Sequence, residues 1–273
     1  METNWNTIKE LSKSYHNLGL SQNLNYDKFF MYSIITHSTA IEGSLLSEGD
    51  TQLLFDEGLT ANGKPLIHHL MNTDLKNAYE FAIEEAKKKT LVTPELLRAM
   101  NSLVMHSTGS YQSMIGGNFD SSKGDFRLCG VQVAGGKSYM NYQKVPGKIN
   151  DFCKDLNEKL KQISSMDGIY RLSFMAHLNL ATIHPWLDGN GRTARLLMNY
   201  IQFYHNLVPC KIYREDRAEY LKTLNRSQEE ENSIYFNGFM ENQLIKTLQE
   251  EIKMYEQEQS RQGQNDRGIW NTF

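Results

Sequence analysis

His184-Pro185-Trp186-Leu187-Asp188-Gly189-Asn190-Gly191-Arg192-Thr193-Ala194-Arg195 joins two apolar segments of helical spacing, Ile169 to Ile183 before it and Thr193 to His205 after it. Pro185 disfavours helical backbone at His184, so the first helix ends there. The glycines on either side of Asn190 tolerate left-handed or strained angles that other residues resist. The loop can therefore turn its amide hydrogens inward, toward the positive end of the second helix. Arg192 and Arg195, three apart, share a helix face and direct two guanidinium groups at one place. Such an arrangement is a site for a polyphosphate. Asp188 is a hard oxygen ligand suited to a magnesium ion that bridges phosphate oxygens. His184 carries an imidazole whose ordinary pKa lies near neutrality, fit to take a proton from an attacking hydroxyl. The chain holds no Walker pattern, no Gly-x-Gly-x-x-Gly and no kinase-type catalytic loop. The anion site is of another kind.

These residues resemble the signature of the Fic (filamentation induced by cAMP) family, written H-x-F-x-D/E-G-N-G-R-x-x-R. Every polar position matches, and Trp186 stands where Phe is usual. Both are aromatic anchors into the core, so a slight change of packing is expected and no change of chemistry. The resemblance covers roughly residues 30–245. It implies an all-α fold, a Fic-like helical bundle around a central helix–anion loop–helix, with one small β-hairpin called the flap. It implies a protein adenylyltransferase, which moves AMP from ATP to a Ser, Thr or Tyr hydroxyl of a target protein, and of itself. On that resemblance His184 is the catalytic base and Asp188 holds Mg2+ or Mn2+. Asp188, Gly189, Asn190, Gly191, Arg192, Thr193, Ala194 and Arg195 bind the nucleotide. Removal of AMP, transfer of another nucleotide or of phosphocholine, and a non-catalytic ATP-responsive interaction module are the alternatives. The intact His184 and Asp188 argue against the last, because pure binding needs neither. A mere helix–helix turn would not call for a base, an acid and two arginines in this order.

Composition sets the outer bounds. The chain has 273 residues, 40% hydrophobic and 22% charged, which reads as globular with a large buried core. A net charge of -3 shows no basic bias, so nucleic acid is not expected as a partner. Cys129, Cys153 and Cys210 are odd in number and scattered, which fits reduced thiols in a cytoplasm. The N-terminus lacks the basic and apolar regions of a signal peptide, and no apolar run is long enough for a bilayer. A homo-oligomer is left open.

Upstream of the signature, the spacing of Phe29, Phe30, Tyr32, Ile34 and Ile35 predicts a helix that Gly43 stops. Its last residues, Ser38-Thr39-Ala40-Ile41-Glu42-Gly43, place Ser38 and Glu42 on one face. Alone, that pair reads as an exposed polar stripe. In this context it resembles the S/T-x-x-x-E-G/N inhibitory motif of Fic proteins, which implies that Glu42 pairs with Arg195 and fills the space of a γ-phosphate. Ser47 and Asp50 cap a short helix. Pro65 to Lys89 reads as a long amphipathic helix with Leu66, Leu70, Leu75, Ala78, Tyr79, Ala82 and Ile83 on its buried side. Thr93-Pro94-Glu95 starts another, ending near Gly109. His68, His69 and His106 read as surface or satisfied core residues. Residues 109–125 read as an exposed loop. From Phe126 to Val145 the period changes, and Val131-Gln132-Val133 can pair back with Tyr139 to Tyr142 across a turn. By the resemblance this hairpin is the flap. Val133, Ala134, Gly135 and Gly136 then touch the nucleotide, and the target segment adds to it as a strand.

Pro146 to Ile163 is amphipathic, and Ile169 to Ile183 is apolar around most of its circumference, as befits a central buried helix. His177 reads as a core histidine. Asp216 opens a further helix, where Tyr220 and, beyond it, Gln228 fall where relatives line the adenine and ribose end of the pocket. A last helix spans Ser233 to about Tyr255, followed by a polar tail with Trp270 and Phe273 as docking points. The chain thus divides into an N-terminal helix and loop (1–23), helices including the inhibitory one (24–108), the core with flap and signature loop (109–245), and a C-terminal helix end with tail (246–273).

Overall fold

The structure, a computed structural model, describes residues 2–20, 24–132 and 138–269. In chain order its main elements are α1 (Glu2–Asn17), α2 (Leu24–Ile41), α3 (Glu48–Glu57), α4 (Leu66–Lys87), α5 (Pro94–Val104), β1 (Tyr111–Met114), β2 (Gly117–Asp120), α6 (Val145–Gln162), α7 (Met166–Ile183), α8 (Asn190–Tyr204), α9 (Arg217–Glu229) and α10 (Ile234–Ile269). The fold is all-α with one small antiparallel hairpin.

The two helices flanking the signature loop, α7 and α8, share the most extensive helix–helix contact. α7 buries Ile169, Tyr170, Phe174, Leu178, Leu180 and Ala181, which recur at helical spacing on several faces. α8 lies deeper still, with every residue from Arg192 to Gln202 buried. A helix enclosed on all sides has no wet face for its polar side chains, so each needs an internal partner. Asn199 accepts from the Tyr79 hydroxyl of α4 at 2.7 Å and donates to Gln202 Oε1 at 2.9 Å and to the Cys210 carbonyl at 3.0 Å. Gln202 donates to Ser173 Oγ of α7 at 2.9 Å and accepts from the Cys210 amide at 2.8 Å. Four side chains and the backbone of Cys210 thereby lock α4, α7 and α8 in a single register. At the rim, α1 lies along α10, with Trp5 Nε1 donating to the buried Glu241 carboxylate at 2.8 Å.

Local signals act where the sequence places them. Ser47 and Asp50 form a reciprocal capping box at α3, and Thr93 caps α5 with Pro94 in its first turn. His69 is buried and satisfied, accepting from the Ala61 amide at 2.9 Å with its other nitrogen 3.1 Å from the Pro65 carbonyl.

Other expectations need correction. Residues 109–125 are not a plain loop: they hold β1 and β2, paired from Tyr111↔Asp120 to Met114↔Gly117. Both strands are four residues long and mostly polar, too short to show alternation in a sequence. α5 stops at Val104 rather than near Gly109. Leu66, expected on the buried side of α4, is 65% exposed, because the helix enters the core only a turn later. α10 continues past Tyr255 to Ile269, while Trp270 and Phe273 lie outside the described residues. At the expected flap, Gln132 and Ser138 form an antiparallel bridge and the Tyr139 amide donates to the Val131 carbonyl at 3.1 Å. Val133, Ala134, Gly135 and Gly136 between them lie outside the described residues. Among the described residues no helix is long and apolar enough to cross a membrane.

Removing the Tyr79 hydroxyl strands Asn199 Oδ1 as a buried acceptor. Tyr79→Phe is therefore expected to lower stability by about 1–3 kcal/mol, read as a lower urea midpoint with unchanged helical circular dichroism. An unmoved midpoint would show that this bond does not help to register the bundle.

Candidate active site

The signature loop is shaped by residues that face away from any ligand. His184 ends α7 in the left-handed region (φ 51°, ψ 61°), which a side chain other than glycine adopts at a cost of ~1 kcal/mol. Arg127 supplies the compensation. Fully buried, it donates from Nε to the His184 carbonyl at 2.8 Å, and its amide donates to the Pro185 carbonyl at 3.0 Å. Its remaining guanidinium nitrogens donate to the carbonyls of Cys129 at 2.8 Å and Met140 at 2.6 Å. Trp186 is buried beside it, and its indole N–H donates to the Gly124 carbonyl at 3.1 Å, a bond phenylalanine could not make. Asn190 closes the loop on itself: its Oδ1 accepts from the Trp186 amide at 3.1 Å and its Nδ2 donates to the Trp186 carbonyl at 2.9 Å.

α8 begins at Gly189, in the left-handed region (φ 78°), with no side chain capping its first turn. Free amide hydrogens and the helix dipole make that end positive. The Glu42 carboxylate lies there: a methyl group on Gly191 would overlap Glu42 Oε1 and come within 3.2 Å of Arg195 Nη1. Glu42 pairs with Arg195 Nη2 at 2.6 Å. Arg195, only 3% exposed, also donates from Nε to Ser38 Oγ at 2.8 Å and from Nη2 to the Ser38 carbonyl at 2.9 Å. Burial by itself would raise the Glu42 pKa, but Arg195, then Arg192 and Arg217, outweigh it and hold the carboxyl below its ordinary range. The Glu42 side chain is 34% exposed, so it occupies the anion site from an open side.

Arg192 is the unbalanced group. It is 3% exposed, yet its Nε and Nη1 have no hydrogen-bond partner, and Nη2 has only the Met105 sulfur at 3.2 Å and Asp188 Oδ1 at 3.5 Å. Buried guanidinium donors without acceptors are unfavourable unless an anion arrives to take them. Asp188 itself is 68% exposed at its side chain. One open carboxylate beside an anion site fits magnesium or manganese, since magnesium keeps several waters and takes other ligands from phosphates. Among the described residues no group of three or more His, Cys, Asp or Glu could hold a metal unaided.

The Tyr139 ring lies flat on the His184 imidazole, with centroids 3.7 Å apart and planes 11° from parallel. Burial, with the Arg127 charge second, lowers the His184 pKa to about 4. At neutral pH the ring is uncharged. A neutral imidazole has one nitrogen whose lone pair can accept a proton.

The structure thus brings His184, Asp188, Gly189, Gly191, Arg192, Arg195, Ser38 and Glu42 to one place. Thr193 and Ala194 are buried; Thr193 Oγ1 accepts from Asn101 Nδ2 at 3.0 Å and its amide donates to the Gly189 carbonyl at 2.9 Å, so both support the start of α8 from behind. Tyr220 is buried behind Arg195, its hydroxyl 3.3 Å from Arg195 Nη1 and 3.0 Å from His177 Nε2. Gln228 is half-buried near the end of α9. His177 is a core residue, stacked on Phe236. Sequence reasoning assigned no role to Arg127, Tyr139, Asn101 or Arg217.

Residues 91–202 match the profile of the Fic/DOC family. Protein adenylyltransferase fic-1 of Caenorhabditis briggsae is 29% identical over 223 residues, 80% of this chain and 41% of that protein. Its Caenorhabditis elegans counterpart is 28% identical over 200 residues, 73% of this chain and 36% of that one. The chain spans about two-fifths of the length of these curated relatives. In fold it is similar to a Fic-domain-containing signalling protein from Bacteroides thetaiotaomicron (TM-score 0.75, 23% identity, 92% of this chain and 98% of that chain). It is also similar to Fic-1 from Caenorhabditis elegans (TM-score 0.72, 21% identity, 96% and 74%). Residues 91–202 thus carry a Fic/DOC family match within a chain of Fic-like fold.

Trp186→Phe, which restores the usual signature residue, removes the bond to Gly124 and leaves a small void. Arg98 Nε still donates to the same carbonyl at 3.2 Å, so no acceptor is orphaned. The expected loss is about 1–2 kcal/mol in thermal or urea unfolding, with nucleotide affinity preserved. A large fall in affinity would mean that the indole shapes the anion site itself.

Proposed function

We propose that this chain is a protein adenylyltransferase, moving AMP from ATP to a Ser, Thr or Tyr hydroxyl of a target protein, with Glu42 as its built-in restraint. The observation that carries the reading is Arg192: a buried cation with two unused donors, beside Arg195 and the open start of α8, one loop from a neutral imidazole. That combination asks for a polyphosphate and offers a base. The printed names of the relatives agree with it.

In this mechanism Arg192, Arg195 and the first-turn amides of α8 take the phosphates. Asp188 would hold Mg2+ or Mn2+, which supplies neutralisation of phosphate charge when bound. The target hydroxyl oxygen attacks the α-phosphorus, and its proton passes to the free nitrogen of His184. The bond from the α-phosphorus to its bridging oxygen breaks, pyrophosphate leaves, and AMP remains on the target as a phosphodiester. Fixed donors aimed at the developing charge supply most of the acceleration, with about 10²–10⁴-fold from the base. The target segment docks as a strand beside the flap, whose described ends pair at Gln132–Ser138 and Val131–Tyr139. The free thiols Cys129, Cys153 and Cys210 suit a reducing compartment such as the cytoplasm.

Two variants test the reading. His184→Ala is expected to bind ATP as the parent does and to lose transfer by about 10²-fold or more. Undiminished transfer would remove the base from the mechanism. Glu42→Gly clears the anion site, so self-labelling with α-phosphate-labelled ATP should rise at least tenfold, a gain worth about 1.4 kcal/mol. A folded variant that labels no faster than the parent would count against restraint by Glu42.

A further inference from the structure

We infer that Tyr139 is a positioning residue for the base: its ring, laid flat on the His184 imidazole, holds that ring in the orientation that leaves its lone-pair nitrogen open and steadies the imidazolium as it forms. The inference rests on the adenylyltransferase reading and adds to it a residue outside the signature.

Three features of the structure support it. The contact is closer and flatter than aromatic pairs usually choose, at 3.7 Å and 11°, against centroid separations of about 4.5–7 Å in most pairs. Something must hold the two rings together, and the backbone supplies it. The Arg127 guanidinium that grips the His184 carbonyl at 2.8 Å also grips the carbonyl of Met140, next to Tyr139, at 2.6 Å. The Tyr139 amide is anchored to the Val131 carbonyl at 3.1 Å. One cation therefore fixes the chain on both sides of the stack.

The second feature is direction. A ring nitrogen accepts a proton at the edge of the ring, in its plane, whereas a stacked neighbour covers a face. Tyr139 can therefore restrict rotation of the imidazole without blocking the nitrogen that carries the lone pair. The third is charge. When His184 takes the proton it becomes a cation that the Arg127 guanidinium opposes, with Asp188 and Glu42 as weaker favourable charges, the second of them absent once Glu42 is replaced. The negative π-face of an adjacent tyrosine is attractive to such a cation. Only the ring is needed for either task. The Tyr139 hydroxyl has no part in it.

The experiment uses the full chain carrying Glu42→Gly, self-labelled with α-phosphate-labelled ATP. Tyr139→Leu is expected to lower kcat about tenfold with KM for ATP within twofold. Tyr139→Phe and Tyr139→Trp should each recover the rate to within about threefold of the Glu42→Gly parent. A leucine variant as fast as the parent, or one that raises KM alone, overturns the inference. So does loss of labelling in Tyr139→Phe, which would make the hydroxyl the group that matters. A second measurement does not depend on turnover. The His184 ring protons should be shifted upfield by the tyrosine ring current in the parent and in Tyr139→Phe, and should return to ordinary positions in Tyr139→Leu. Unshifted protons in the parent overturn the stack while leaving the enzyme reading intact. A parent that binds ATP and never labels removes the enzyme reading, and this inference with it.

Discussion

Two guanidinium groups are buried at the positive end of one helix, and α2 brings a single carboxylate to meet them. Arg195 is well partnered, by Glu42, by Ser38 through both side chain and backbone, and by the Tyr220 hydroxyl. Arg192 is not. Its ion-pair partner, Asp188 at 3.5 Å, is 68% exposed, and two of its buried donor nitrogens have no acceptor. Buried donors without acceptors are unfavourable, so the start of α8 is suited to a further anion. The Glu42 carboxylate stands at that same place, against Gly191. In the proposed function, restraint and binding compete for the same few ångströms.

Glu42 is held in place by more than its own ion pair. Arg217 of α9 donates to the Ile41 carbonyl at 2.6 Å, where α2 ends and Glu42 begins. Asn72 of α4 accepts from Thr39 at 3.1 Å and donates to Ser44 Oγ at 3.2 Å. These contacts fix the backbone on either side of Glu42, whereas the side chain itself remains a third open.

Labour in the signature loop is divided between residues that hold and residues that act. Arg127, Trp186 and Asn190 hold: their polar groups are spent on backbone carbonyls and amides. In the proposed reaction His184, Asp188, Arg192 and Arg195 act. His184 sits in a left-handed conformation that only dense surrounding contacts could enforce. Because Arg127 reaches the His184 carbonyl and those of Cys129 and Met140, the backbone at His184 is tied to the chain at both of those residues.

Much of this was legible in the residues alone. Helical periodicity and caps placed α3, α4, α6, α7 and α8 to within a few residues, because burial of one face and satisfaction of end groups are local preferences written in adjacent positions. The loop's glycines, base, acid and paired arginines were equally plain, since twelve consecutive residues carry them. The Glu42–Arg195 pairing came from likeness to a family, and nothing in the chain itself joins positions so far apart. The β1–β2 hairpin, the tyrosine over the imidazole, the three carbonyls around Arg127 and the hydroxyl behind Arg195 belong to the tertiary structure. Spacing along a chain determines which side chains share a face, but which cation meets which carbonyl is settled only when whole helices pack and every buried polar group must find a partner.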